Sequence, residues 1–139
     1  MLKIVEISKN SETLSIINES TKKNAVIQFL GVDNRDSNVI NSCLIGVENN
    51  DIKNYALYTG MKDTRLIQMT IENFSSKSFF EHAVDYAYKN LNAYTITVFT
   101  DRPNKLLDDA GFENLGSDNN IVTYIKDREI EKDVGRVRI

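Results

Sequence analysis

The side chains best able to do chemistry in this chain are few and scattered. Its one cysteine is Cys43 and its one histidine is His82. A lone thiol has no partner for an internal disulfide, and as a nucleophile it would need a base that its sequence neighbours do not supply. His82 stands beside the apolar stripe of a helical segment, next to Asp85 and Tyr86, with no Ser or Cys neighbour to activate, and reads as a boundary histidine. One histidine and one cysteine do not furnish a metal site, so no metal is expected. The run "SSKS" at 75–78 offers hydroxyls and the Lys77 ammonium just ahead of an apolar helical stretch. Ser78 and Glu81 have the S-x-x-E spacing of a capping box, which predicts Ser78 as the N-cap and Lys77 as a solvated lysine. Tyr55, Tyr58 and Tyr124 either line a cleft between a β-meander and a terminal hairpin or, at period-two spacing, are half-buried sheet packing, and Cys43 is open to the same two readings.

A chain of 139 residues, 41% hydrophobic and 27% charged, has the size and make-up of one globular domain with a real core. Its net charge is only -3, with both signs interspersed. That gives no electrostatic footprint for a nucleic-acid backbone, and no nucleic-acid partner is expected. No apolar run is long enough to cross a bilayer, and "MLKIVEISKNSE" has no uninterrupted apolar core of a leader peptide. The expectation is a cytoplasmic protein without a membrane partner.

The elements that must position these residues follow from periodicity and turn chemistry. "MLKIVEI" puts Leu2 and Ile4 on one face and Val5 and Ile7 on the other, a strand covered on both sides. "NSETLSIINES" is a short helix behind Ser11 as N-cap. "NAVIQFLGVDN" reads as a second helix with Val26, Phe29 and Leu30 as its stripe, a strand being the alternative. Three β segments follow, "INSCLIGVEN", "NYALYTGM" and "TRLIQMTIE", joined by hairpin turns at "ENND" and "GMKD". "SSKSFFEHAVDYAYKNL" is the clearest helix, with Phe80, Ala83, Val84, Ala87 and Leu91 on one face. "YTITVFT" is a buried strand. Asp101 is placed to cap a helix in "RPNKLLDDA", with Pro103 in its first turn. Gly111 ends that helix at C′, the position that wants φ > 0, and Phe112 at C″ packs back on Leu107. "FENLG" and "IVTYIKD" form a closing hairpin around "SDNN". The charged stretch 128–139, with a small strand in "GRVRI", is a tail to a single domain at 1–127.

This order of elements resembles the GNAT superfamily of acyl-CoA N-acyltransferases. The likeness is carried by "RLIQMTIENF" entering the helix "KSFFEHAVDYAYKN", and by "ITVFTDRPNKLLDDAGFENLGSDNNIVTYIKD", in which the last helix ends in Gly-Phe before a strand pair. The resemblance implies an α/β (α+β) fold with a strongly twisted, mixed, mainly antiparallel sheet and helices on both faces, the fourth and fifth strands lying side by side and nearly parallel. It implies acetyl-CoA as cofactor, with the backbone of Met69, Thr70 and Ile71 pairing with the pantetheine arm. It places the CoA pyrophosphate at the start of the long helix, where Ser75, Ser76, Lys77 and Ser78 stand in for a Gly-rich loop whose two glycines are missing here. It makes Asn104 a contact to the cofactor arm. A tyrosine that protonates the leaving thiolate in many members is replaced by Leu107, which cannot give a proton. Glu72 is then the carboxylate available as general base, or else a strand-end surface charge, and Tyr124 joins it as a catalytic candidate.

Two functions remain open on these residues. One is transfer of an acetyl group to an amine of a small molecule or peptide. The other is a non-catalytic binding or regulatory module with a degenerate site, forming a homodimer through a sheet edge or the charged tail. Acetyl-CoA is expected to bind weakly or not at all, and micromolar binding would instead favour the acyltransferase over the binding module.

Overall fold

In the computed structural model, residues 2–8, 11–31, 36–72 and 76–128 are described. The centre of the molecule is a meander of three long strands, β2 (Val39–Glu48), β3 (Asp51–Met61) and β4 (Leu66–Glu72). Asn49 and Asn50, at φ 54 and 62, make the two-residue turn between β2 and β3. Consecutive left-handed residues match the right-handed twist of a hairpin, and asparagine tolerates them. β1 (Lys3–Ile7) joins the free edge of β2. On the other side β4 is followed by helix α2 (Lys77–Lys89) and then β5 (Thr95–Thr100), which returns parallel to β4. A short helix α3 (Lys105–Asp109) leads to the closing hairpin of β6 (Glu113–Asp118) and β7 (Ile121–Asp127). The result is one seven-stranded sheet in the order β1-β2-β3-β4-β5-β7-β6, antiparallel at every junction except β4–β5.

Each face of the sheet has its own core, because alternate strand residues point to opposite sides. On one face α2 and α3 cover Leu44, Ala56, Tyr58, Met69, Ile96 and Tyr124, with Phe79, Phe80, Ala83, Leu107 and Phe112 as the helical half. On the other, a 3₁₀ turn (Glu12–Ile16) and helix α1 (Thr21–Leu30) cover Ile7, Cys43, Ile45 and Ile52. β1 serves both: Leu2 and Ile4 pack with the first core and Val5 with Ile7 in the second, as the alternation in "MLKIVEI" requires. Ser11 caps the 3₁₀ turn as expected. The "NAVIQFL" segment is helical, starting at Thr21 behind Ser20. Its Lys23 is buried, which the sequence reading did not anticipate. The ammonium donates to the Ile17 carbonyl at 2.9 Å and to Glu19 Oε1 at 2.8 Å, and so remains solvated by protein oxygens.

Two helix starts differ from expectation. The N-cap of α2 is Ser76, not Ser78: Ser76 Oγ accepts from Phe79 N at 3.2 Å, and Ser78 is an exposed residue of the first turn. Both serines fit a cap locally. Starting at Lys77 brings Phe79 and Phe80 into the first turn, where both are buried, and that burial outweighs a capping box with Glu81. Likewise α3 starts at Lys105 behind Asn104, not behind Asp101. Asn104 Oδ1 accepts from Leu107 N at 3.2 Å, and Pro103 lies ahead of the helix. A residue before proline is held out of the helical region, so a helix starting upstream of Pro103 is disfavoured.

The end of α3 is as read from the sequence. Gly111 has φ 89, Phe112 N donates to Leu107 O at 3.0 Å, and Gly111 N donates to Asp108 O at 3.1 Å, the paired bonds of a Schellman ending. Arg128 belongs with the domain: its Nε donates to Ala93 O at 3.0 Å and its guanidinium also bonds Tyr88 O. The "GRVRI" strand lies outside the described residues.

Candidate active site at the divergence of β4 and β5

The parallel junction is short. It pairs Leu66 with Thr95, Ile67 with Ile96 and Gln68 with Thr97, and goes no further. Both strands continue beyond it. β4 stays paired to β3 as far as Glu72 opposite Tyr55, and β5 stays paired to β7 as far as Thr100 opposite Val122. The sheet is therefore two antiparallel halves hinged by three residue pairs. Past the hinge, the inner edges of β4 (Met69 onward) and β5 (Val98 onward) face a cleft with backbone donors and acceptors that no strand pairs. Such groups are obligatory hydrogen-bonding sites for water or for an extended ligand.

The walls of this cleft come from both faces. Met69, Ile71 and Val98 point into the α2-side core and are buried. Gln68, Thr70 and Glu72 point the other way and are exposed, as is Phe99. Glu72 lies beside Tyr55, whose hydroxyl is held above its ordinary pKa by burial first and by the Glu72 carboxylate second. Tyr124 stands cross-strand from Val98, the first β5 residue past the hinge. Its side chain is wholly buried on the α2 side, and its hydroxyl oxygen accepts from Asn104 N at 2.9 Å. The two catalytic candidates thus lie on opposite faces of the sheet, Glu72 at the exposed end of β4 and Tyr124 buried behind β5.

Of the residues expected around a cofactor, Met69, Thr70 and Ile71 lie along the open edge of β4. Ser75 lies outside the described residues. Ser76 Oγ is committed to Phe79 N, while Lys77 and Ser78 are exposed on the first turn of α2. Asn104 is an N-cap whose side-chain oxygen and backbone N–H are both engaged. Leu107 is fully buried between α3 and the sheet. The remaining candidates are away from the cleft mouth. Tyr58 is buried and donates to Ala83 O at 2.7 Å, so it is a core residue. Cys43 is buried in the opposite core, where burial pushes its thiol up to about 12, leaving no thiolate at neutral pH. His82 is exposed on α2. Among the described residues, no cluster of three or more His, Cys, Asp or Glu side chains could hold a metal ion, and no helix is long and apolar enough to cross a membrane. The opposing wall, Thr97 to Phe99, and the Tyr124–Asn104 bond were not singled out from sequence. They depend on which strands become neighbours, and the "ITVFT" and "IVTYI" patterns alone do not tell that.

A mixed sheet that parts between its parallel pair, with a helix leading from the end of one parting strand, defines the architecture of the GNAT acetyltransferases, and this chain has that fold. Among solved structures it is similar to the N-acetyltransferase PseH of Campylobacter jejuni, with TM-score 0.63 and 14% identity over 92% of this chain and 99% of that one. The same enzyme in complex with acetyl coenzyme A gives TM-score 0.64 at 13% identity over 93% and 100% of the two chains. Mutant forms of the spermidine/spermine N-acetyltransferase SpeG of Vibrio cholerae give TM-score 0.63 at 12% identity over 98% and 99%. No protein-family model matches the chain, and no curated protein is similar to it in sequence.

Proposed function

We propose that this protein is an N-acyltransferase that holds an acyl thioester in the β4–β5 cleft and passes the acyl group to an amine of a small molecule or peptide. The observation that carries the reading is the end of the parallel pairing at Gln68 and Thr97, which leaves a strand-like edge at Met69–Ile71 for an extended amide-bearing arm. The similar PseH structure in complex with acetyl coenzyme A makes an acetyl thioester the first donor to test. The cofactor's chemistry is to present an activated carbonyl carbon. The protein's part is positioning, which can supply much of the rate of such a reaction. In this reading the Met69–Ile71 backbone orients the arm by hydrogen bonds. Glu72, exposed at the end of β4, accepts the proton of the attacking amine directly or through water. Tyr124, whose oxygen accepts from Asn104 N, keeps its own hydroxyl proton to donate toward the leaving sulfur from the other face.

A second reading, a binding or regulatory module without transfer, is favoured by one specific feature: Leu107 is packed, carries no proton, and stands where many enzymes of this fold have a tyrosine. Backbone-amide chemical shifts on adding acetyl-CoA at millimolar concentration separate the two. Perturbations confined to Met69–Glu72 and Thr97–Thr100, together with thiol release that requires an added amine, are expected. Shifts elsewhere, or none, overturn the acyltransferase reading.

A further inference from the structure

The face of the sheet turned away from α2 is covered over only part of its width. Helix α1 packs against β2 and β3, and the core that it closes takes its strand residues from β1, β2 and β3. Over β4, β5, β7 and β6 that face carries exposed side chains. Register and strand parity set Phe99 beside Thr123, with Ile121 and Ile125 on the same face to either side of Thr123. Phe99 is 47% exposed and Ile121 50%, so a large apolar surface meets water here. Leu115, also exposed, sits in the bulge between Asn114 and Ser117, where β6 passes Thr123.

The charges around this patch have one sign. Glu113 faces Ile125 across β6 and β7, and Asp118 faces Ile121, so both carboxylates share the face of the patch. Asp127 is on it too, accepting from Thr95 Oγ1 at 2.7 Å. Glu72 is on the same face of β4. The only basic residue in these four strands is Lys126. It points to the α2 side and donates to Ala110 O at 2.6 Å.

The patch is continuous with the cleft. Phe99 lies two residues past Thr97, as Thr70 lies two past Gln68, so the pair flanks the opening on one face with Glu72 next along β4. On the other face Met69, Ile71 and Val98 are buried under α2. A group that reaches Glu72 from solvent therefore comes over the face that holds Phe99 and Ile121. Small ligands are held in concave pockets, whereas a sheet face several strands wide suits the contact area of a chain segment. A second copy of this chain would set the same acidic rim against its own. A segment with lysine or arginine between apolar side chains matches both the apolar centre and the rim.

We propose that the acceptor amine is carried by a basic, apolar peptide segment, which lies on the Phe99–Ile121 face and presents a lysine amine to the cleft beside Glu72. The proposal rests on the acyltransferase reading above and names its acceptor class. The amine nitrogen forms a C–N bond to the thioester carbonyl carbon as the C–S bond breaks, and the amine's proton is balanced by the one that the released thiol gains.

Thiol release by the full chain at millimolar acetyl-CoA tests this with defined amines. The first is an N-terminally blocked peptide with a single lysine among alternating arginine and leucine. The others are the same peptide with glutamate for arginine, the same with serine for leucine, and butylamine. The arginine–leucine peptide is expected to exceed each of the others in kcat/KM by about tenfold or more, and its lead over the glutamate peptide should shrink at high salt. Ile121→Thr should lower the ratio of peptide to butylamine kcat/KM by about tenfold, through KM. Asp118→Lys should lower the ratio of the arginine to the glutamate peptide. Both residues are exposed, and melting temperatures close to that of the parent are expected. If the glutamate peptide, the serine peptide or butylamine matches the arginine–leucine peptide, or if the variants slow all amines alike, the proposal is overturned and the acyltransferase reading stands. A dimer in sedimentation equilibrium that Ile121→Thr dissociates also overturns it, because a second copy then occupies the face. If no amine releases thiol, the acyltransferase reading falls and the proposal with it.

Discussion

Gln68 and Thr97 are the last residues to face each other across the parallel junction, and beyond them the sheet opens although both strands run on. Each strand keeps its antiparallel partner on the far side, so the opening costs only the pairs not made between β4 and β5. Alternate amides of Met69–Glu72 therefore point into the cleft, while the others are bonded to β3. In hydrogen exchange, the cleft-side amides should exchange without global unfolding and their β3-side neighbours only with it. Uniform protection along β4 would mean that the cleft is closed in solution.

The bond from Asn104 N to Tyr124 ties the start of α3 to β7 and should be needed for stability whatever the chemistry. Tyr124→Phe leaves a partly buried N–H without its acceptor, and a loss of about 1 to 3 kcal/mol is expected in urea denaturation. Glu72→Gln, at an exposed strand end, should change stability by less than about 0.5 kcal/mol. In a transfer assay it should lower the rate by roughly 10²-fold or more if Glu72 is the base. Unchanged rates would remove it from that role.

The two serines of "SKS" are separable by mutation. Ser76→Ala should lower stability by about 1 kcal/mol, the usual effect of losing an N-cap, and Ser78→Ala should leave it nearly unchanged. The reverse ranking in thermal melts would restore Ser78 as the cap.

Gly111 is required by its backbone and not by its surroundings. A Cβ there would meet Lys126 Nζ at 3.5 Å, an ordinary contact, but φ is 89. Gly111→Ala should therefore destabilise the domain by about 1 kcal/mol, and Gly111→Val by more. An unchanged denaturation midpoint for Gly111→Val would contradict the Schellman geometry.

Stability should fall in alkali through the buried thiol. Below pH 9 Cys43 is protonated in both states and contributes no pH dependence. From 9.0 to about 12 the unfolded chain loses this proton and the folded chain keeps it. Unfolding free energy then drops by about 1.4 kcal/mol per pH unit from this group. Tyr58 and Tyr86, also held above their ordinary value by burial, add to the slope above pH 10. Urea denaturation at intervals from pH 8 to 11 should show this limb, shallower in Cys43→Ala, and a parallel slope in that variant would rule the thiol out as its source.

Much of the fold is legible in the sequence because it is written in short-range chemistry. The strand alternation of "MLKIVEI", the Asn-Asn turn after β2, the 3.6-residue stripe of α2 and the Gly-Phe stop of α3 each depend on residues within a few positions of one another. Their order carries the resemblance to the GNAT superfamily, and it is that resemblance which implies that β4 and β5 are parallel neighbours. Helix starts were less legible. Ser76 and Ser78 are equivalent choices locally, and burial of Phe79 decided between them; Asn104 over Asp101 follows from Pro103, which holds the residue before it out of the helix.

The candidate site is where sequence alone stops. That "RLIQMTIE" and "YTITVFT" lie side by side was readable, but that they pair for only three residues was not. No local signal distinguishes Gln68 from Met69 as the last residue held. The divergence arises because β4 follows β3 and β5 follows β7, two antiparallel halves each with its own core contacts. The same holds for Glu72 and Tyr124, whose placement on opposite faces follows from strand parity once the register is set. Residue types and spacing thus determined the elements, their order and the glycine-free helix start. Tertiary structure alone decided where the sheet opens and which side chains border the opening, because both depend on long-range register.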